Sequence, residues 1–178
     1  AWIDECHGLP SLKADGSQEW MFMPGFTPAS GGLIRERTVA ELRRDFDAAR
    51  QQAFLEGLGA GNLPGRRISL FCYPEAPADD WFGTLAASAE PTLLLAAHGV
   101  AIDSVERFFG REPAPGQPVR KGNLALVRVP FLPQVDYDRL LLACEVNFVR
   151  GEDSWIRAHW ARRPFVWQPY IQAGGAHL

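Results

Sequence analysis

The stretch EVNFVRGEDSWIRAHWARRPFVWQ, residues 145–168, decides the fold class. Residues 145–149 have the apolar, β-branched composition of a short strand, and residues 152–162 have the length and composition of a helix. The polar turn Arg150-Gly151-Glu152-Asp153-Ser154 leads from one into the other. A strand that passes through a short turn into a helix is typical of a βαβ unit, which builds a parallel sheet.

The same alternation extends over the rest of the chain. Further strands are predicted at 67–73, 91–99 and 123–131, and further helices at 78–89, 101–110 and 136–144. The stretch 91–99 is a continuous apolar run closed by glycine, which is typical of a strand buried on both faces. We therefore predict an α/β fold, a Rossmann-like parallel sheet with helices on both faces.

A single long helix is predicted where regular structure begins. Thr38 and Glu41 form a capping box. Apolar side chains then recur at steps of three and four residues, namely Val39, Leu42, Phe46, Ala49 and Ala53. Gly57 and Gly59 end the helix.

The residues before this helix are rich in glycine and proline, and their apolar residues have no clear period. We therefore interpret residues 1–37 as a connecting segment between domains and residues 38–178 as the Rossmann-like domain. The stretch EPAPGQPVRKG, residues 112–122, is predicted to be a loop inside that domain.

Composition excludes several classes of protein. The 178 residues are 47% hydrophobic and 22% charged, which indicates a soluble globular protein. The net charge of −3 and the scattered lysines and arginines argue against nucleic-acid binding. No apolar run approaches the roughly 20 residues of a membrane helix, and we expect no signal peptide. Cys6, Cys72 and Cys144 are widely spaced, as expected of reduced thiols in a cytoplasmic protein without a metal site.

The polar turn at the start of the predicted helix is the first candidate site. Ligands of open parallel sheets bind outside the carboxyl ends of the strands, and a helix N-terminus is a natural seat for phosphate. Gly151 allows close approach of the backbone, Ser154 offers a hydroxyl, and Arg150 can pair with a phosphate. Glu152 and Asp153 would repel a bare phosphate, which favours a nucleotide joined to a sugar. The alternative is that these residues only cap the helix, for about 0.5–2 kcal/mol.

Three other aromatic side chains could either contact a ligand or serve a structural role. His98 ends a predicted strand at a position where ligand groups often lie, but we expect a structural histidine there. Trp155 and Trp160 are expected to belong to the core and not to form a platform for a ligand.

Four segments together carry a family resemblance. RGEDSWIRAHWARRPFVWQPYIQ (150–172), CHGLPS (6–11), MPGFTPASGGLIRE (23–36) and VPFLPQVDYDRLLLAC (129–144) resemble the EarP family of protein-arginine rhamnosyltransferases, which modify bacterial elongation factor P. The resemblance implies an inverting glycosyltransferase that moves rhamnose from dTDP-β-L-rhamnose to an arginine of elongation factor P. It also implies that no metal or other cofactor is needed. The chain would be one half of a two-Rossmann-domain (GT-B) architecture, the half that binds the donor.

Residue roles follow from the same resemblance. Arg150, Glu152, Asp153 and Ser154 would contact the diphosphate and the rhamnose, and Glu152 would be the residue whose loss impairs catalysis. These assignments name the substrate of a turn whose residues alone indicated either a nucleotide joined to a sugar or a helix cap.

The base of the nucleotide would be bound elsewhere. Phe131 would stack on thymine, for about 1–3 kcal/mol, and Gln134 would hydrogen-bond its edge. Tyr73 would supply another contact to the nucleotide, and Tyr137 is a weaker candidate of the same kind. The alternative for Phe131 and Tyr73 is core packing at strand ends, and for Gln134 it is an ordinary exposed loop position.

One departure from the family pattern concerns the acceptor. In the family, an N-terminal segment carries aspartates, one of them proposed as the base for the acceptor arginine, and we find no counterpart here. We therefore expect a donor-binding part that is inactive alone, with elongation factor P contacted mainly by an absent N-terminal domain. The alternatives are a non-catalytic nucleotide-binding α/β module and a different nucleotide-sugar GT-B transferase.

Overall fold

A computed structural model of the protein describes residues 2–172. The chain divides into two compact units, residues 1–37 and 38–178. The first unit has a short helix, α1 (Trp2–Cys6), and an antiparallel pair of strands, β1 (Pro10–Leu12) and β2 (Gln18–Trp20). The role of this unit as a connection between domains stays a prediction.

The second unit begins with two helices where one was predicted. α2 spans Thr38–Asp45 and α3 spans Ala48–Gly57. The prediction of one continuous helix is wrong because the Asp47 carboxylate accepts a hydrogen bond, 2.9 Å long, from the backbone N–H of the third residue of α3 and so caps a new helix. As a result, Ala49 and Ala53 are exposed instead of lying on the buried face.

Six strands form the main sheet in the order β5-β6-β4-β3-β7-β8. Their bounds are Arg66–Leu70 (β3), Thr92–Ala96 (β4), Pro118–Lys121 (β5), Leu124–Arg128 (β6), Val146–Arg150 (β7) and Phe165–Gln168 (β8). All neighbouring strands are parallel except β5, which pairs antiparallel with β6 at the edge. The prediction of a loop over 112–122 is therefore wrong in its second half. β5 begins with a proline, which an edge strand tolerates.

Helices cover both faces of this sheet, which confirms the predicted fold class. α4 (Ala78–Ala87) and α5 (Ile102–Phe109) pack on one face. α3, α6 (Gln134–Ala143) and α7 (Gly151–Ala161) pack on the other. All five residues of β4 are buried, as its continuous apolar sequence predicted. No helix among residues 2–172 has the length and apolar character that a membrane crossing requires.

The order of the strands reverses between β3 and β7. After β3 the chain places β4, β5 and β6 on one side, and then returns to place β7 and β8 on the other side of β3. The loops that leave β3 and β7 therefore depart in opposite directions. In open α/β sheets this reversal opens a crevice at the carboxyl ends of the two strands, where ligands bind.

Polar side chains hold β3 and β7 together. Asn147 of β7 is fully buried; its Oδ1 accepts a 2.6 Å hydrogen bond from Ser69 Oγ, and its Nδ2 donates to the Leu141 carbonyl at 3.1 Å. At the amino ends, Arg67 donates its backbone N–H (2.6 Å) and its guanidinium to the Glu145 carboxylate. These contacts fix the register of the pair, since a slip by one residue would break them.

The ion pair at the amino ends predicts a dependence of stability on pH. Burial would raise the pKa of Glu145, but the hydrogen bonds from Arg67 outweigh it and hold that pKa below its usual value of 4.5. The folded carboxyl thus binds protons less readily than the unfolded one. Its contribution to the free energy of unfolding is complete above about pH 4.5 and is lost as the pH falls through the lowered pKa.

We therefore expect Glu145→Gln to lower the free energy of unfolding at pH 7. The difference in this free energy between the variant and the parent protein, called the gap, should narrow below pH 4.5. Urea unfolding at several pH values measures this gap. Asp45→Asn is the control, because Asp45 pairs with Arg44 at an exposed position, where an ion pair stabilises little. A Glu145→Gln gap that is constant with pH would contradict the expected role of the ion pair.

Candidate functional site

A cavity of about 740 Å³ opens at the carboxyl edge of the main sheet. The segments that follow β3, β4, β6 and β7 all contribute to its wall. Every residue predicted from the sequence to bind the substrate or to act on it lines this cavity: Tyr73, Phe131, Gln134, Arg150, Glu152, Asp153 and Ser154. The topology therefore brings together residues that lie in three separate stretches of the sequence.

Arg150 bridges the ends of β3 and β7. Its guanidinium carbon lies 4.2 Å from the ring centroid of Phe71 and 4.8 Å from that of Tyr73. One guanidinium nitrogen, Nη1, donates to the Cys72 carbonyl at 2.8 Å. The cation–π contacts and this hydrogen bond orient a positive charge in the crevice, and the guanidinium keeps further donors for a ligand.

α7 starts directly at the end of β7, with no loop between them. Gly151 has a φ of 59°, in the left-handed region, and a Cβ at this position would lie 3.0 Å from the Tyr73 hydroxyl. Its carbonyl accepts a 2.9 Å hydrogen bond from Trp167 Nε1. The first turn of α7 is thus held against the cavity wall, where its backbone N–H groups and the positive end of the helix dipole favour an anion.

Ser154 is hydrogen-bonded to the backbone of Arg150. Its side chain is buried, 5% exposed, and its Oγ accepts a 2.9 Å hydrogen bond from the Arg150 N–H while donating to the Arg150 carbonyl. The alternative interpretation of this residue, a structural contact at the helix start, therefore has direct support. A contact of the hydroxyl with a phosphate requires it to turn away from the Arg150 carbonyl, and that contact stays a prediction.

Glu152 and Asp153 differ from Ser154 in being exposed. Neither carboxylate makes a hydrogen bond or an ion pair with any residue in the described part of the chain, 2–172. Both line the same cavity as Arg150. Two unpaired carboxylates in a cavity that also offers a seat for an anion suit a ligand that carries hydroxyl groups or a cation as well as phosphate.

Phe131 and Gln134 form the wall that follows β6. The Phe131 side chain is 84% exposed, so the alternative of core packing is wrong for it. Gln134 is the first residue of α6 and is exposed. Its Nε2 donates a hydrogen bond to Asp138 Oδ1 that is long, at 3.4 Å, and therefore weak enough for a ligand to replace. An exposed aromatic face and an exposed amide at the mouth of a cavity suit a planar base.

Tyr137 also lines the cavity. Its Oη is buried and makes no hydrogen bond to a residue among 2–172. Burial raises the pKa of this phenol, and the neighbouring Ser154 hydroxyl partly opposes the shift. That hydroxyl donates its own hydrogen to the Arg150 carbonyl and not to Tyr137. A buried hydroxyl without a partner favours a ligand that supplies one.

Two residues of the cavity wall were missed in the sequence. Phe71 lies two residues before Tyr73, and this spacing places both side chains on the same side of an extended chain. Arg157 lies one helical turn after Ser154, and its Nη1 is 3.2 Å from Asp138 Oδ2. Both spacings were available as signals in the sequence.

His98, Trp155 and Trp160 lie in different surroundings. His98 is exposed, lines the cavity and makes no hydrogen bond with the described residues, so the expectation of a structural histidine is wrong. Trp155 packs against the rings of His159 (4.8 Å) and Trp167 (5.4 Å). Neither Trp155 nor Trp160 lines the cavity.

Within residues 2–172, no group of three or more His, Cys, Asp or Glu side chains is arranged to hold a metal ion. That the reaction needs no metal stays a prediction.

Comparison with known proteins identifies relatives over the whole chain. The family model for EarP, described as elongation-factor P (EF-P) rhamnosyltransferase, matches residues 1–178. A protein-arginine rhamnosyltransferase of Pseudomonas putida is 41% identical over 99% of this chain and 48% of its own length. Those of Pseudomonas aeruginosa and Shewanella oneidensis are 42% and 36% identical, each over 99% of this chain and 48% and 47% of their own lengths.

A solved structure that concerns EarP-mediated arginine glycosylation of translation elongation factor EF-P is similar in fold. It superposes with a TM-score of 0.76 and 39% sequence identity, over 84% of this chain and 50% of that chain. The chain therefore spans about half the length of the curated relatives it matches. The match of the family model over all 178 residues, together with these relatives, shows that the chain belongs to the EarP family of rhamnosyltransferases.

Proposed function

We propose that the chain forms the donor-binding part of a protein-arginine rhamnosyltransferase and that its cavity binds dTDP-β-L-rhamnose. The observation that carries this proposal is that all seven predicted site residues line one cavity at the point where the strand order reverses. The cavity volume, about 740 Å³, lies within the range of about 300–1,000 Å³ that is usual for ligand sites.

The base end of the donor is assigned to the wall after β6. Phe131 stacks on thymine with its exposed face, and the Gln134 amide pairs with the donor and acceptor groups of the base edge. Tyr73, which is half-buried beside Arg150, contacts the nucleotide from the other side of the cavity.

The diphosphate is assigned to the crevice between β3 and β7. Arg150 and the backbone N–H groups of the first turn of α7 provide fixed donors there. When the bond to the sugar breaks, negative charge builds up on the diphosphate. Donors that are already oriented stabilise this charge without reorganising, so the same groups that bind the donor also assist the departure of dTDP.

The transfer itself is a single displacement with inversion. A guanidinium nitrogen of the acceptor arginine attacks C1 of rhamnose from the face opposite the diphosphate. The bond between C1 and the diphosphate oxygen breaks, its electron pair leaves with dTDP, and the attacking nitrogen releases a proton. Because a free guanidinium has a pKa above about 12, carboxylates are needed to orient it and to accept that proton. Glu152 and Asp153 both line the cavity. We assign to the carboxylate of Glu152 an action on the reacting groups and to that of Asp153 a contact with the sugar.

The remaining parts of the proposal concern the protein as a whole. Since the chain spans about half the length of its relatives, we assign to it donor binding and little transfer when it acts alone. Contacts with elongation factor P are assigned mainly to the rest of the polypeptide. Three cysteines without disulfides support a cytoplasmic location. No metal, other cofactor, nucleic acid or membrane takes part in the proposed reaction.

Titration with nucleotides tests donor binding. The chain is titrated by calorimetry with dTDP, UDP and GDP. A clear preference for dTDP is the expected result. Equal affinity for the three would indicate a different nucleotide-sugar transferase, and the absence of binding would overturn the proposal.

Mass spectrometry tests transfer. Elongation factor P is incubated with dTDP-β-L-rhamnose and either this chain or the complete polypeptide that carries it. We expect a rhamnose adduct on arginine with the complete polypeptide and little with the chain alone. No adduct with either, despite nucleotide binding, would favour a non-catalytic nucleotide-binding module.

Phe131→Ala tests base stacking. Loss of the aromatic face is expected to weaken dTDP binding by about 1–3 kcal/mol. The melting temperature should not change, because the side chain is 84% exposed. Val166→Ala is the control, since Val166 is also exposed and apolar but does not line the cavity. An unchanged affinity for dTDP would show that Phe131 does not contact the base.

Glu152→Gln separates binding from catalysis. The substitution keeps the size of the side chain and removes its charge, so dTDP affinity should be retained while the rate of rhamnose transfer falls by about 100-fold or more. The substitution is made in the complete polypeptide, for which transfer is expected, and the rate is followed as the mass shift of elongation factor P. Glu90→Gln, at an exposed position outside the cavity, should leave the rate unchanged. Loss of dTDP affinity in proportion to the rate would assign Glu152 to nucleotide binding alone.

A further inference from the structure

His98 lies in a part of the cavity wall to which no ligand contact has been assigned. It follows β4, which lies in the sheet between β6 and β3. At the carboxyl edge, His98 therefore lies between the segment that carries Phe131 and the segment that carries Tyr73. Its imidazole is exposed and has no hydrogen-bond partner among the described residues.

The turn that carries His98 has an unusual backbone. Gly99 has a φ of 72°, and Ala101 has a φ of 52° at the start of α5, without a side-chain cap. The left-handed conformation is strained for a residue such as alanine, because its Cβ comes too close to the following carbonyl oxygen. A strained conformation of this kind persists only where the surrounding structure fixes it, and such positions cluster at functional sites.

Arg128 fixes this turn through hydrogen bonds to its backbone. It is the last residue of β6 and is 2% exposed. Its Nη1 donates to the carbonyls of Ala97 (2.8 Å) and Val100 (2.6 Å), which flank the pair His98-Gly99. Its Nε and Nη2 donate to the two carboxylate oxygens of Glu112, at 2.5 and 2.9 Å.

An ion pair with a buried guanidinium is a costly way to fill a strand end; the side chain of Arg128 is 2% exposed and that of its partner Glu112 is 26% exposed. An apolar side chain of similar volume is often as stabilising as a buried ion pair, or more so. The hydrogen bonds of Arg128 supply something that an apolar side chain cannot, namely a fixed position for two carbonyls on either side of His98. The arrangement fixes the backbone that carries an exposed imidazole at the cavity wall.

We infer that His98 is a further donor-binding residue, whose imidazole donates a hydrogen bond to the diphosphate, and that Arg128 and Glu112 are positioning residues acting through it. This inference rests on the proposed function, since it concerns the same cavity. His98 and Arg150 would then hold the diphosphate from neighbouring strand ends, β4 on one side and the crevice between β3 and β7 on the other.

His98→Ala tests the contact, with dTDP and thymidine as probes in calorimetry. A lost hydrogen bond to a charged group weakens dTDP binding by about 10-fold or more, while thymidine binding is unchanged. If the parent chain does not bind dTDP, the proposed function itself fails. If the parent chain binds dTDP and His98→Ala binds it equally well, the inference alone is overturned. Equal weakening for both probes also overturns it, because the contact is then with the nucleoside.

Glu112→Gln tests the positioning role without emptying the buried site of Arg128. It is expected to weaken dTDP binding when His98 is present and to have no further effect when combined with His98→Ala. Such non-additivity is typical of residues that act through one another, and a general loss of stability would not produce it. Independent effects that multiply in the double variant would show that the buried pair does not act through His98.

Discussion

The pairing of β3 with β7 is the constraint on which the rest of the structure depends. These two strands come from distant parts of the chain, and side chains 78 residues apart tie them together at three levels. An ion pair joins their amino ends, Asn147 bonds to Ser69 in the buried middle, and Arg150 bonds to the Cys72 carbonyl at the carboxyl ends. Because the side chains of a strand alternate between faces, only one register satisfies all three ties.

The chemistry of the cavity follows from that register. With β3 and β7 fixed, the guanidinium of Arg150 lies against the rings of Phe71 and Tyr73, and α7 begins at the same edge. The cavity thus combines oriented donors for an anion with the free carboxylates of Glu152 and Asp153. A sugar nucleotide is a ligand that needs both kinds of group, and a displacement at its anomeric carbon makes use of both.

Much of this arrangement was predictable from local patterns. The continuous apolar run of β4 and the polar residues at the junction of β7 and α7 indicated the sheet and its ligand-binding edge. The break between α2 and α3 was missed because the helical period continues across Asp47, although this residue is a strong N-cap. The burial of Arg128 could not be predicted, since its pairing with Glu112 and with the turn at His98 depends on contacts between distant parts of the chain.

We propose that one edge of the sheet binds thymidine diphosphate through both its base and its diphosphate. A crystal structure of the chain with dTDP would reveal the position of both groups. We expect the diphosphate at Arg150 and the first turn of α7, with thymine stacked on Phe131. A nucleotide bound away from this edge, or crystals in which the cavity stays empty at saturating dTDP, would contradict it.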